Sequence, residues 1–171
     1  DFTYIVAGMV VGGAIGASAA RAGAMTAMPE MVALFNGCGG AASLLVGWAA
    51  LSPDSSMFTL VTIVLSILIG GVTLTGSLVA YGQLSETIGS GALTSPGQQI
   101  ANSLVVLGIV GGAAMFCMNP TDPTWLYMVI GLSLVFGIMA VIPIGGADMP
   151  VVIALLDSYS GSAACAAGFA I

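Results

Sequence analysis

Asp157 stands in MPVVIALLDSYSGSA, a stretch otherwise apolar or small. The other six of the seven acidic residues fall in polar or turn-like connections, or at their edges. A carboxyl group here can bind and release a proton, and its placement is costly. An ionised Asp at the centre of a membrane helix costs about 2.5 to 3.5 kcal/mol on insertion scales. The cost falls if the group protonates, faces a polar cavity or is paired, and desolvation favours the protonated acid. The chain has one basic residue, Arg21, and no His, so no counter-charge is available within the run. Asp157 therefore needs hydroxyls, amides or water. Ser160 and Gly161 lie three and four residues on, on the same helical face. Two readings stand: a proton or ion path through the membrane, or a neutral hydrogen-bonded Asp that ties helices together.

A second polar group sits in a matching context. MPEMVALFNGCGGAA resembles the Asp157 stretch, and the two Met-Pro pairs are 121 positions apart. Ala33 then matches Ala154, Leu34 matches Leu155, Gly40 matches Gly161, and Asn36 falls opposite Asp157. Each polar group lies seven residues past its proline, about 10 Å into a helix. The likeness reads as an ancient parallel duplication or as coincidence in an apolar background. In GGVTLTGSLVAYG, Thr73 and Ser77 are four apart and share a face. Such hydroxyls line a pore or bond their own i−4 carbonyls.

The elements that must hold these groups follow from composition. The 171 residues are 58% hydrophobic and 5% charged, with a mean hydropathy of +1.14. Soluble domains carry about a quarter charged residues, so the expected class is an all-α membrane protein. Six continuous apolar runs are candidate spans: Phe2 to Ala20, Pro29 to Leu51, Phe58 to Tyr81, Ile100 to Met118, Trp125 to Ile144 and Pro150 to Ile171. Each is long enough as a helix to cross a hydrocarbon core of about 30 Å. LSPDSSM and MNPTDPTW separate spans with Pro and Asp, which break helices. Pro29 and Pro150 suit a first helical turn. Trp48, Trp125 and Tyr127 fall near span ends, as interfacial aromatics do. Gly8, Gly12 and Gly16, and again Gly108 and Gly112, repeat every four residues. Such stripes let helices approach closely, so the six spans are expected to form part of a larger helical bundle.

Other chemistries are excluded or weak. One basic residue makes no nucleic-acid patch. Cys38, Cys117 and Cys165 lie in apolar runs with no CxxC spacing and no His, which reads as packing rather than metal or redox chemistry. Gly37, Gly39 and Ala42 satisfy G-x-G-x-x-A, but a dinucleotide turn needs a strand before it and a helix opening after it. The opening DFTYIVAG lacks an initiator Met and a basic leader, so the chain is expected to be the visible part of a longer one.

AMTAMPEMVALFNGCGG, TLTGSLVAYGQL and IGGADMPVVIALLDSYSGSAACAAGF closely resemble the membrane domain of proton-translocating NAD(P) transhydrogenase, in its beta-type portion. The likeness extends along essentially the whole chain. It implies that residues 1–171 form a transmembrane proton-channel domain. In that family a hydride moves between NADH and NADP+ in two soluble domains, coupled to inward proton movement. NAD(H) and NADP(H) would thus be held outside this chain, which needs no cofactor or metal of its own. Implied partners are membrane lipid, an alpha-type portion with the NAD(H) domain, the NADP(H)-binding domain and a second copy of the whole enzyme. A further helix is expected after Ile171. The implied location is a bacterial plasma membrane or the mitochondrial inner membrane. RAGAMTAMPE, the connection from Gly82 to Gln99, and IGGADMP would face the NADP(H) domain. Arg21, Glu30 and Asp148 then become coupling candidates, although a helix-start acid also suits the dipole alone. The channel candidates are Asn36, Asp157, Ser160, Ser77 and Thr73.

Two positions depart from the pattern. Many relatives carry a proton-relaying His where this chain has Asn36, and Asn where it has Asp157. Asn does not titrate near neutral pH. The resemblance therefore suggests that the titratable group has moved to Asp157, or that a residue of another chain carries the proton. A stand-alone transporter or channel with a parallel repeat is the alternative of a different class, and a structural membrane scaffold is a third.

Overall fold

The structure, a computed structural model, describes residues 2–52, 54–89, 91–92, 94 and 96–171. Pro53, one of the expected breakers, lies outside the described residues, as do Asp1, Ser90, Leu93 and Ser95. Six helices follow in order: α1 (Phe2–Ala22), α2 (Met28–Ala49), α3 (Met57–Leu84), α4 (Gln98–Met118), α5 (Pro123–Val141) and α6 (Met149–Ala170). All six are long and apolar enough to cross a membrane, and no strand occurs among the described residues. Helices satisfy every interior backbone group within the segment, which hydrocarbon demands.

Local chemistry fixes the ends. Ser56 caps α3 by accepting from the Thr59 amide at 3.1 Å. Asp122 caps α5 by accepting from the Thr124 amide at 3.0 Å, with Pro123 at the first helical position, where a missing N–H costs nothing. That contact holds the Asp122 carboxyl below its usual range, first through the Thr124 side chain and then through its amide. Helix α5 stops at Val141 rather than at the expected Ile144, because Pro143 disfavours helical geometry in the residue before it. Helix α3 runs past the expected Tyr81 to Leu84, because Gln83 is buried rather than solvated.

Helix α3 is the centre of the bundle, packed against α2, α5 and α6, while α4 packs on α5. Small residues permit this. A Cβ on Gly40 would lie 2.7 Å from the Gly70 carbonyl oxygen, and one on Gly70 would lie 2.6 Å from the Gly40 oxygen. Gly137 of α5 meets Thr75 and the backbone of Val72 in the same way. Hydroxyls reinforce the seams: Ser66 Oγ donates to the Ser43 carbonyl at 2.8 Å, and Thr75 Oγ1 to the Leu134 carbonyl at 2.8 Å. Bonds of this kind contribute about 0.6 kcal/mol each on average. At one end of the bundle Trp48 and Tyr127 stack edge to face, as do Phe58 and Phe169.

The duplication read from the sequence is also a duplication of shape. Helix α2 follows a 3-10 turn at Met25–Ala27 and α6 follows one at Gly146–Asp148. Both helices have 22 residues, and all four boundaries differ by the same 121 positions. Within each turn the last amide bonds the carbonyl three residues back at 3.0 Å, Ala27 to Ala24 and Asp148 to Gly145. The preceding helices, α1 and α5, begin 121 positions apart as well. Their packing differs: α5 is seated on α3, whereas no residue of α1 is buried. The expected tight bundle therefore holds for five helices within this chain.

Candidate functional site

Asn36 is 7% exposed, and its Nδ2 donates to Ser77 Oγ at 3.1 Å across the α2–α3 seam. The backbone brings them together: a Cβ on Gly37 would touch the Ser77 side chain at 3.3 Å. One turn earlier on α3, Thr73 is fully buried beneath Gly40. The Thr73 hydroxyl and the Asn36 Oδ1 have no hydrogen-bond partner among the described residues. A buried polar atom without a partner costs about 1 to 3 kcal/mol, so two together mark a place where polar guests such as water are favoured. Thr73, Ser77 and Asn36 thus form one buried polar seam. Helix-local bonding accounts for Thr75, which also reaches the carbonyl of Gly71 at 3.2 Å, but not for Thr73 or Ser77.

Ser160 lies on the other side of α2, with its Oγ 3.1 Å from the position a Cβ on Gly39 would take. Asp157 is exposed on the outer face of α6 and makes no hydrogen bond to a described residue. The structure therefore places Asn36 and Asp157 at one depth on parallel helices without bringing their side chains together. Asn36 is turned to α3, and Asp157 is turned away from the five-helix core.

Arg21, Glu30 and Asp148 fall at the same end of the bundle by topology, in the last turn of α1, the first turn of α2 and the residue before α6. None makes an ion pair with a described residue. Asp148 has φ −94° and ψ −1°, and its side chain caps no amide. An N-cap side chain needs an extended backbone at its own residue, so Asp148 keeps its carboxylate free at the helix start. Glu30 is half-buried, and Arg21 and Asp148 are exposed.

Sequence reasoning missed Gln83. It is 1% exposed, its Nε2 reaches the Ile142 carbonyl at 3.4 Å, and its Oε1 has no partner. It joins the end of α3 to the end of α5, beside the connection that carries Asp148. The signal was a Gln inside GSLVAYGQL, continuing an apolar run instead of closing it. Gly37, Gly39 and Ala42 lie inside α2, where helix hydrogen bonds occupy their amides, so they cannot cradle a pyrophosphate.

The chain can be set beside known proteins at this point. The family model of the NAD(P) transhydrogenase beta subunit matches residues 1–171. Two curated proteins from Rhodospirillum rubrum, each named NAD(P) transhydrogenase subunit beta, are 35% identical over 180 residues. The alignment takes in 99% of this chain and 39% of each relative. Six membrane-length helices around a polar seam, matched from end to end, make this chain a member of the NAD(P) transhydrogenase beta subunit family.

Proposed function

We propose that this chain is the proton-conducting membrane part of an NAD(P) transhydrogenase, coupling transmembrane proton movement to hydride transfer from NADH to NADP+. The nucleotides bind in soluble domains outside these 171 residues, one of them in an alpha-type portion of the enzyme. The observation that carries the reading is the buried Asn36–Ser77–Thr73 seam, with two unpartnered polar atoms, inside a bundle otherwise apolar. Asp157 is the proton acceptor, since it is the one acid within a spanning helix away from the ends. Asn36, fixed by Ser77, orients the polar guests of the seam. Protonation drives the cycle only if it favours one of two conformations. The free carboxylate of Asp148 and the buried amide of Gln83 stand where such a change would pass from the helices to an NADP(H) domain.

The test is proton uptake by the complete enzyme in liposomes, read with a pH-sensitive dye during hydride transfer. Asp157→Asn is expected to lower coupled uptake by about 10²-fold, the scale of losing a positioned proton-transfer group. Unimpaired uptake in that variant removes Asp157 from the path. A native enzyme that transfers hydride without moving protons overturns the whole reading.

A further inference from the structure

The 121-position duplication gives the unburied helix α1 an assignment. Its stripe of Gly8, Gly12, Gly16 and Ala20 has as counterparts Val129, Ser133, Gly137 and Val141 of α5, each 121 positions on. All four counterparts are buried. They form the face on which α5 meets α3: Ser133 lies against Gly71, Gly137 against Thr75 and Val72, and Val141 against Gly76. The same positions of the first unit face open space, with nothing within 4 Å of a Cβ on Gly8, Gly12 or Gly16. One copy of the duplicated unit is thus seen with a helix on this face, and the other copy keeps the face small and unoccupied.

No helix within the chain can fill it. Helix α3 is engaged by α2, α5 and α6, and α4 by α5. A second α1 is a poor guest, because the face that receives α5 is not another α5 but an apolar helix with its own small residues, Gly71 and Gly76. A helix continuing from α6 has a seat of its own. The α2 residues turned to α3 include Ala33, Asn36, Gly37 and Gly40, and their counterparts Ala154, Asp157, Ser158 and Gly161 are all exposed. As α3 follows α2 and covers that face, a segment following α6 would cover this one.

We propose that the Gly8–Gly12–Gly16–Ala20 face of α1 is the docking surface for a transmembrane helix of the alpha-type portion of the enzyme. The inference rests on the proposed function for the existence of that partner. The guest is an apolar spanning helix with small residues on its contact face, seated as α3 is seated on α5.

The experiment uses the complete enzyme, with a small diazirine amino acid in place of Gly12 and the adduct mapped by mass spectrometry. An adduct on a spanning helix of the alpha-type portion is expected. An adduct on lipid, on a second copy of this chain or on another segment of the beta-type polypeptide overturns the proposal, and so does quenching by water alone. A steric arm accompanies it. Gly12→Leu and Gly16→Leu meet open space within this chain, so they leave its own packing intact. Overpacking a docked face should reduce alpha-type retention on a tagged beta chain about tenfold or more. Ala14→Leu, on the opposite side of α1, should have no effect. Equal retention in all three variants overturns the docking. Hydride-linked proton uptake by the unmodified enzyme separates the two readings: with uptake intact and the adduct on lipid, the docking alone fails.

Discussion

Ser160 touches α2 at Gly39, and these two residues are each other's counterparts across the 121-position duplication. The Met-Pro helices therefore run side by side in register, and equal positions sit at equal depth. A Leu at Gly39 would drive into Ser160 and part the helices, at about 1 to 3 kcal/mol. Gly39→Ala should cost far less, since the Ser160 hydroxyl can rotate away. Thermal melting of the detergent-solubilised enzyme measures both. Partial rescue of Gly39→Leu by Ser160→Gly would confirm the contact, and additive losses would deny it.

Ser77→Ala strands the Asn36 amide in the α2–α3 seam. The expected loss is about 1 to 3 kcal/mol, the cost of a buried donor without a partner. Replacing both residues, with Asn36→Leu added, should be less destabilising than Ser77→Ala alone. A double-mutant cycle on apparent melting temperature reads the coupling.

Gln83 makes one long hydrogen bond and buries one unpartnered oxygen. Those terms oppose each other, so Gln83→Leu should change stability by less than about 1 kcal/mol. A larger loss would mean that the amide is well paired in the complete enzyme. Reduced proton coupling at unchanged stability would instead mark Gln83 as a transmission residue.

The Thr124 contact holds the Asp122 carboxyl below its unfolded value. Its stabilising contribution is therefore full above the unfolded pKa and is lost as pH falls through the folded one. Asp122→Asn should match the native enzyme near neutral pH, because Asn also caps well. On acidification through the carboxylate range the native enzyme should lose slightly more than the variant. Parallel melting curves across that range would show that Asp122 contributes nothing.

The fold was legible because the apolar runs are long and continuous, and all six spans coincide with helices to within a few residues at each end. Boundaries slipped where tertiary burial overrode polarity, as at Gln83, or where backbone sterics overrode apolarity, as at Pro143. The depth of Asn36 and Asp157 was also legible, since it depends on counting from a proline. Their directions were not. Which face of a helix is covered depends on its neighbours, and no pattern within α2 or α6 states that α3 lies over Asn36 but not over Asp157. The unburied state of α1 was hidden for the same reason: a glycine stripe says that a helix can be approached closely, not that one has come.

The 3-10 turns carry a mechanical consequence. Only Gly23 and Ala24 separate α1 from the turn that opens α2, and the turn before α6 begins five residues after α5 ends. Residues 85–97 between α3 and α4 are a longer tether. A load applied at Asp148 meets almost no slack before it reaches α6, so that helix behaves as a lever with a stiff handle. The same load applied near Glu86 is absorbed as slack. Signals entering this end of the bundle are thereby routed into the two Met-Pro helices, the pair that bears Asn36 and Asp157.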